Sequence, residues 1–254
     1  MITKKYNIIK VLALFASTMF AQDTNTVLIS GVFIHDKGTY YEQNQNKTNN
    51  SVVCYFVQTP TTSINLNAID KVNWVRYNGV KLKYNGSSKI YSKRQKVNNN
   101  SNHDDDNEND NECNTLNFSL KNWIVKGKNY IPDMNFNYNG VAPNISFVPN
   151  LLPDSLKKSD TLKISIGNIT NCDSIIVTIA DSDQLSNRHF VAFKSPNYTS
   201  ELKINPSIFS PLIQGNRGFI KIELVSYNTQ VVAGKNYSFI DKCSYTKPNI
   251  QIIN

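Results

Sequence analysis

Residues 73–84 read Asn-Trp-Val-Arg-Tyr-Asn-Gly-Val-Lys-Leu-Lys-Tyr, and this stretch decides the fold. Asn78-Gly79 is the strongest short hairpin signal, because a two-residue turn of the primed type needs positive φ at both central positions. Asparagine and glycine tolerate that backbone region best. The turn then sets the register. Tyr77 faces Val80, Arg76 faces Lys81, Val75 faces Leu82, and Trp74 faces Lys83. Side chains alternate between the two faces of a strand, so Val75, Tyr77, Val80 and Leu82 share an apolar face. Trp74, Arg76, Lys81 and Lys83 share the other, and these four are the candidate ligand-binding residues. Trp74 opposite Lys83 is expected to form a cation–π pair, worth roughly 0.5–1 kcal/mol when exposed.

The same alternation recurs on both sides of the hairpin. Upstream and downstream lie VLISGVFIH, SVVCYFVQ, SKIYS, TLNFSL and NWIVKG; later come TLKISIG, SIIVTIA, HFVAFK, SELKI, GFIKIELVS, TQVVA and NYSFI. Helical periodicity is almost absent from these runs. A helical turn is expected only at NPSIFSPLI, where Pro206 suits a first turn. Seven short strands in about ninety residues is the cadence of a β-sandwich. The expected fold is all-β, two tandem sandwiches of immunoglobulin-like architecture. The N-terminal sandwich spans 22–131 and the C-terminal one 154–254, joined by a proline-containing connector over 132–153.

Residues 1–21 carry Lys4, Lys5 and Lys10 ahead of the short apolar run Val11–Phe20 and an Ala21-Gln22 junction. That order is a secretory signal peptide. The run is about half the length a membrane-spanning helix needs. The chain is therefore expected to be exported and not transmembrane after cleavage, with an address in the periplasm, at the cell surface or outside the cell. The formal charge is +8, and +5 without residues 1–21. A basic exported protein can meet anionic glycans, cell walls or headgroups. Nucleic acid is excluded by that location and by the lack of any recognition motif.

One stretch runs against the charge. KVNNNSNHDDDNENDNEC, residues 96–113, packs six carboxylates into positions 104–112, after six cations between Lys81 and Lys96. It is not an EF-hand, since Asn109 stands where a glycine is required and Thr115 where a glutamate is required. Residues 95–113 are read as a disordered acidic insertion, with weak calcium binding as its alternative. No cofactor is otherwise expected.

Four cysteines in an exported chain permit two disulfides. Cys54–Cys113 and Cys172–Cys243 keep each bridge within one sandwich, although three connectivities exist and Cys54, inside VVCYFV, also suits a buried free thiol. Catalytic signals are missing. His35, His103 and His189 are scattered without metal-ligand spacing, and there is no nucleophile elbow, HExxH or phosphate loop. Asp181 and Asp183 form a D-x-D after a strand and read as backbone-capping turn residues, with a calcium pair as the alternative. Trp74 and Trp123 with Tyr77, Tyr84 and Tyr91 could instead stack on a sugar, or simply pack a core.

Cys54, Trp74 and Cys113 occur in the order found in antibody-type domains, but Asn111 replaces the expected tyrosine, so only the architecture is carried over. The FAQD signal ending, the Asn- and Lys-rich composition and the segments DSLKKSDTLKISIGN and GFIKIELVSYNTQVVAGKNYSFI resemble exported surface proteins of Bacteroidota. That resemblance implies O-glycosylation at Asp-Ser/Thr-apolar triplets, which here give Ser155, Thr161 and Ser174. The function expected is that of a non-catalytic exported interaction, adhesion-type or scaffold protein, whose partner is another surface protein or a glycan. The alternative is a carbohydrate-binding module using aromatics around Trp74.

Overall fold

The computed structural model describes residues 29–42, 45–61, 69–97, 121–138, 141–145, 152–167, 169–181, 188–194 and 201–254. The expected signal peptide and residues 98–113 of the expected acidic insertion lie outside them. Residues 95–97 do not belong to an insertion, because they complete a strand.

The described residues form strands and a single 3-10 turn, with no α-helix among them. In chain order the first nine strands are β1 (Ile29–Glu42), β2 (Gln45–Thr61), β3 (Ile69–Asp70), β4 (Trp74–Tyr77), β5 (Val80–Lys81), β6 (Lys83–Asn85), β7 (Ile90–Val97), β8 (Lys121–Lys126) and β9 (Met134–Tyr138). The others are β10 (Asn144–Ile145), β11 (Ser155–Lys157), β12 (Leu162–Ser165), β13 (Ile169–Thr170), β14 (Ser174–Ala180), β15 (Arg188–Lys194), β16 (Glu201–Ile204), β17 (Gly215–Val232) and β18 (Lys235–Ile253). The 3-10 turn at Pro206–Ile208 falls where the sequence placed it, and Asn205 caps it by accepting from the Ser207 amide at 2.9 Å.

Two compact units emerge, and they interleave along the chain instead of following in tandem. The first takes residues up to His35, then Asn50–Gly140 and Asn228–Ile240; the second takes Asp36–Asn49, Val141–Tyr227 and Asp241–Asn254. The reason is strand length. β1, β2, β17 and β18 run 14, 17, 18 and 19 residues, far beyond the usual five or six or so. TQVVA and NYSFI are thus not separate short strands; they are the end of β17 and the start of β18 around a two-residue turn at Ala233-Gly234. The expected connector over 132–153 is corrected as well. Its first part is core strand β9, with Met134, Phe136 and Tyr138 buried in the first unit, and Leu152 is buried in the second unit's core.

In the first unit, β18, β1, β2, β7 and β6 pair in that order, with β3 on β2; a second sheet runs β5–β4–β8–β9. The apolar faces of the two sheets meet in one cluster, a β-sandwich core. Phe33 of β1 sits at its centre. Its ring centroid lies 5.0 Å from Trp123, 5.5 Å from Phe136 and 4.8 Å from Phe239. Aromatic pairs at these separations add about 0.5–1.5 kcal/mol each beyond their area.

In the second unit, β15, β14, β17 and β18 pair consecutively. Strand β11 adds in parallel to the end of β18, with Leu156 opposite Ile252. Ile175, Val177 and Ile179 of β14 and Ile220, Ile222 and Leu224 of β17 pack with Leu162 and Ile164 of β12 and Leu202 and Ile204 of β16. Cys172 and Cys243 belong to this cluster as free thiols, so the expected Cys172–Cys243 disulfide is not formed. Each has another contact: Cys172 Sγ donates to the Ser174 carbonyl at 3.1 Å and Cys243 Sγ to the Tyr245 hydroxyl at 3.3 Å. Cys54 is also a free buried thiol, and its expected partner Cys113 lies outside the described residues. Burial pushes the Cys54 and Cys243 thiols up, which keeps them protonated and unreactive.

Candidate functional site

The hairpin that decides the fold also builds the most distinctive surface. Asn78 and Gly79 hold φ of 47° and 82°, and Tyr77 pairs with Val80 and Arg76 with Lys81 as the turn dictates. Leu82 then donates to the Val75 carbonyl at 2.9 Å. Strand β8 lies on the other side of β4. It places Lys126 opposite Trp74, Ile124 opposite Arg76 and Trp123 opposite Tyr77. β9 continues the rows, with Asn135 opposite Ile124 and Asn137 opposite Asn122.

Alternation sends Val75, Tyr77, Trp123, Val125, Met134 and Phe136 into the core. The opposite face is left with Lys81, Arg76, Ile124 and Asn135 in one row, Trp74 and Lys126 in the next, and Asn122 with Asn137 beyond. Rows of this kind are spaced by about 7 Å along a strand, and neighbours within a row by about 5 Å.

The contacts on this face differ in kind. The Arg76 guanidinium carbon sits 5.1 Å from the Trp74 ring centroid, while Trp74 itself is half-buried. The expected partner of Trp74, Lys83, is elsewhere: the chain leaves this sheet at Leu82, and Lys83 pairs with Ser92 in β7. Asn122 Nδ2 donates to Asn135 Oδ1 at 2.8 Å and to Asn137 Oδ1 at 2.7 Å, and its backbone amide donates to Asn78 Oδ1 at 2.7 Å. Lys126 pairs with Asp133. The hydrogen bond from Lys126, then that from the Gly127 amide, lowers the Asp133 carboxyl. Gly127 has to be glycine, since a Cβ there would lie 2.0 Å from the Ile131 carbonyl oxygen. Among the described residues no carboxylate pairs with Arg76 or Lys81.

Of the four candidate ligand residues, the structure therefore joins Trp74, Arg76 and Lys81 and separates Lys83. The other aromatics of the sugar-stacking alternative go inward. Tyr77, Tyr91 and Trp123 are core residues, and the Tyr91 hydroxyl donates to the Val72 carbonyl at 2.5 Å. Tyr84 is half-buried beneath Lys71. Sequence reasoning missed Asn122, Ile124, Lys126, Asn135 and Asn137. Their polar alternation in KNWIVK and MNFNY was legible; the neighbour of each strand was not.

A second charged cluster lies in the other unit. Glu223 Oε1 accepts from Lys221 at 2.8 Å and from Lys242 at 2.5 Å, with Glu223 1% exposed. Burial pushes the carboxyl up, but the two ammonium groups outweigh it and bring it down to about 2. This cluster is built from strand interiors and satisfies itself, so it reads as structural.

The remaining candidates fall as follows. Ser155 and Thr161 are exposed, whereas Ser174 is half-buried and paired on both sides, with Lys194 and Val225. Asp154 pairs with Lys247 at 2.6 Å, and Asp173 accepts from the Tyr227 amide at 2.9 Å. Asp181 is buried and accepts from the Ile213 amide at 2.8 Å, so it caps backbone as expected but 32 residues away and not within its own turn; Asp183 and His103 lie outside the described residues. His35 is buried with its ring 6.1 Å from that of Tyr77. Among the described residues no three His, Cys, Asp or Glu side chains converge as metal ligands would. No family model, curated protein or solved structure matches the chain.

Proposed function

We propose that this chain is an exported, non-catalytic binding protein of the surface or periplasmic scaffold type, with immunoglobulin-like sandwich architecture. Its partner meets the outer face of the β5–β4–β8–β9 sheet. One observation carries this reading. A rigid sandwich turns Trp74, Arg76 and Lys81 outward on adjacent strands, with Asn122, Asn135 and Asn137 beside them. Strands hold side chains more rigidly than loops do, which suits recognition. The export signal and the resemblance to Bacteroidota surface proteins support the location. The carbohydrate-binding alternative is favoured by the row of asparagine amides, whose donors and acceptors match sugar hydroxyls.

The test is retention of the full processed chain on immobilised bacterial envelopes and polysaccharides. A Trp74→Ala/Ile124→Glu variant is expected to lose most retention, and Lys163→Glu on β12 to lose none. Equal retention of the face variant and the wild type would remove the proposal. O-glycosylation at Ser155 and Thr161 belongs to the same reading, supported by their exposure. An unshifted intact mass from a glycosylating host would dispose of it.

A further inference from the structure

The binding face carries a like-charge contact that costs stability unless something negative covers it. Arg76 and Lys81 stand directly opposite each other on β4 and β5. Like charges in that cross-strand position repel and destabilise a sheet. The cation in the next row, Lys126, has Asp133 beside it, whereas among the described residues no carboxylate pairs with Arg76 or Lys81. Arg76 is also held in place, its guanidinium lying over the Trp74 ring at 5.1 Å. A stacked guanidinium is pre-organised and loses little freedom on binding an anion.

Resting on the binding-face reading above, we infer that this face takes an acidic polysaccharide, with its carboxylate or sulfate groups seated at Arg76 and Lys81. Two features select a sugar polymer over other polyanions. The same face adjoins three asparagine side chains, linked to one another through Asn122 and offering amide groups to hydroxyls. It also lacks the apolar surface that a membrane or a protein interface would use. Val141, Ile213, Tyr227 and Val231, the large hydrophobics most exposed among the described residues, all lie off these strands. Ile124 and Trp74 alone interrupt the polar rows, and both are half-buried. A flat, hydrogen-bonding, cationic surface with one aromatic suits a hydroxyl-rich chain with regularly spaced negative groups.

The experiment is affinity electrophoresis of the full processed chain in gels containing polygalacturonate, chondroitin sulfate or dextran, with liposomes of anionic phospholipid and poly-glutamate as competitors. Retardation by the two acidic polymers and not by dextran is expected. Arg76→Gln/Lys81→Gln should weaken it by about tenfold or more, and raised salt should weaken the wild type. Lys157→Gln/Lys163→Gln, which removes the same charge from exposed positions of the second unit, should leave it unchanged. If dextran retards as strongly, or the Arg76/Lys81 variant binds polygalacturonate normally while Trp74→Ala/Ile124→Glu does not, the acidic ligand is wrong and the face stands. If neither variant alters binding, the face itself is wrong. Equal competition by liposomes or poly-glutamate overturns the choice of a polysaccharide, as does the absence of any retardation.

Discussion

Glu223 shows how a single residue can make a sheet sensitive to acid. It is 1% exposed, yet ionised, because Lys221 and Lys242 both reach one carboxylate oxygen. Its folded value of about 2 lies below the ordinary 4.5. A depressed carboxyl stabilises the fold fully above the unfolded value and loses that contribution as pH falls through the folded one. The difference corresponds to about 3 kcal/mol. Glu223→Gln keeps the shape but strands the buried Lys242 cation beside the half-buried Lys221, so it should cost about 3 kcal/mol at neutral pH. Urea midpoints of the two proteins should converge as pH drops from 4.5 toward 2; parallel curves would show that the cluster contributes nothing specific. The pattern was readable in IKIELV, since Lys221 and Glu223 alternate with Ile220, Ile222 and Leu224. What local sequence could not supply was Lys242, which comes from the neighbouring strand.

At the scale of elements, the two tight hairpins make a natural comparison. Asn78-Gly79 and Ala233-Gly234 both hold positive φ at both turn positions, 47° and 82° in one and 49° and 72° in the other. The first is written in favourable residues and was legible at once. The second hides behind an alanine, which has no preference for positive φ, and so the tight turn between TQVVA and NYSFI carried no signal. That concealment has an energetic side. A non-glycine residue in the left-handed region costs roughly 1–2 kcal/mol, and asparagine relieves part of it. Ala233→Asn or Ala233→Gly should therefore stabilise the protein by about 0.5–1 kcal/mol, seen as a higher urea midpoint with an unchanged slope. Asn78 does more than turn the chain, because its side chain accepts from the Asn122 amide across to β8. Asn78→Ala should cost about 1–2 kcal/mol through both backbone strain and the lost bond. Asn78→Gly, which removes only the bond, should cost about half as much. Equal losses in the two variants would mean that the turn's φ is not what matters.

At the scale of the whole molecule, the informative fact is the order in which the chain visits its two cores. The first core takes Phe33 from β1, Cys54 and Phe56 from β2, then β4, β8 and β9, and is completed only by Tyr237 and Phe239 near the far end of the sequence. The second takes its share of β18 through Cys243, Ile250 and Ile252. Alternation within each strand announced an all-β chain, because inward and outward positions are fixed by a two-residue period. It could not announce the interleaving, because strand partners two hundred residues or so apart leave no local mark and such pairing is decided by loop closure and packing. A tandem arrangement would let the chain be cut near residue 140 into two folding halves. The observed path forbids that. Fragment 22–140 lacks Phe239, which stacks on Phe33 at 4.8 Å and meets Phe136 edge-on at 4.8 Å, and deleting one such buried ring costs about 3–5 kcal/mol. Against a total stability of about 5–15 kcal/mol, the loss of Tyr237 and Phe239 with their whole strand leaves the fragment unfolded. Fragment 141–254 in turn lacks Asp36, whose carboxylate accepts from the Ser244 hydroxyl at 3.0 Å, and the rest of the β1 segment around it. Neither fragment alone should show a cooperative urea transition or dispersed amide resonances, whereas co-refolding the two should restore both. A cooperative transition in either isolated fragment would mean that the cores are autonomous and that the path of the chain is incidental to their stability.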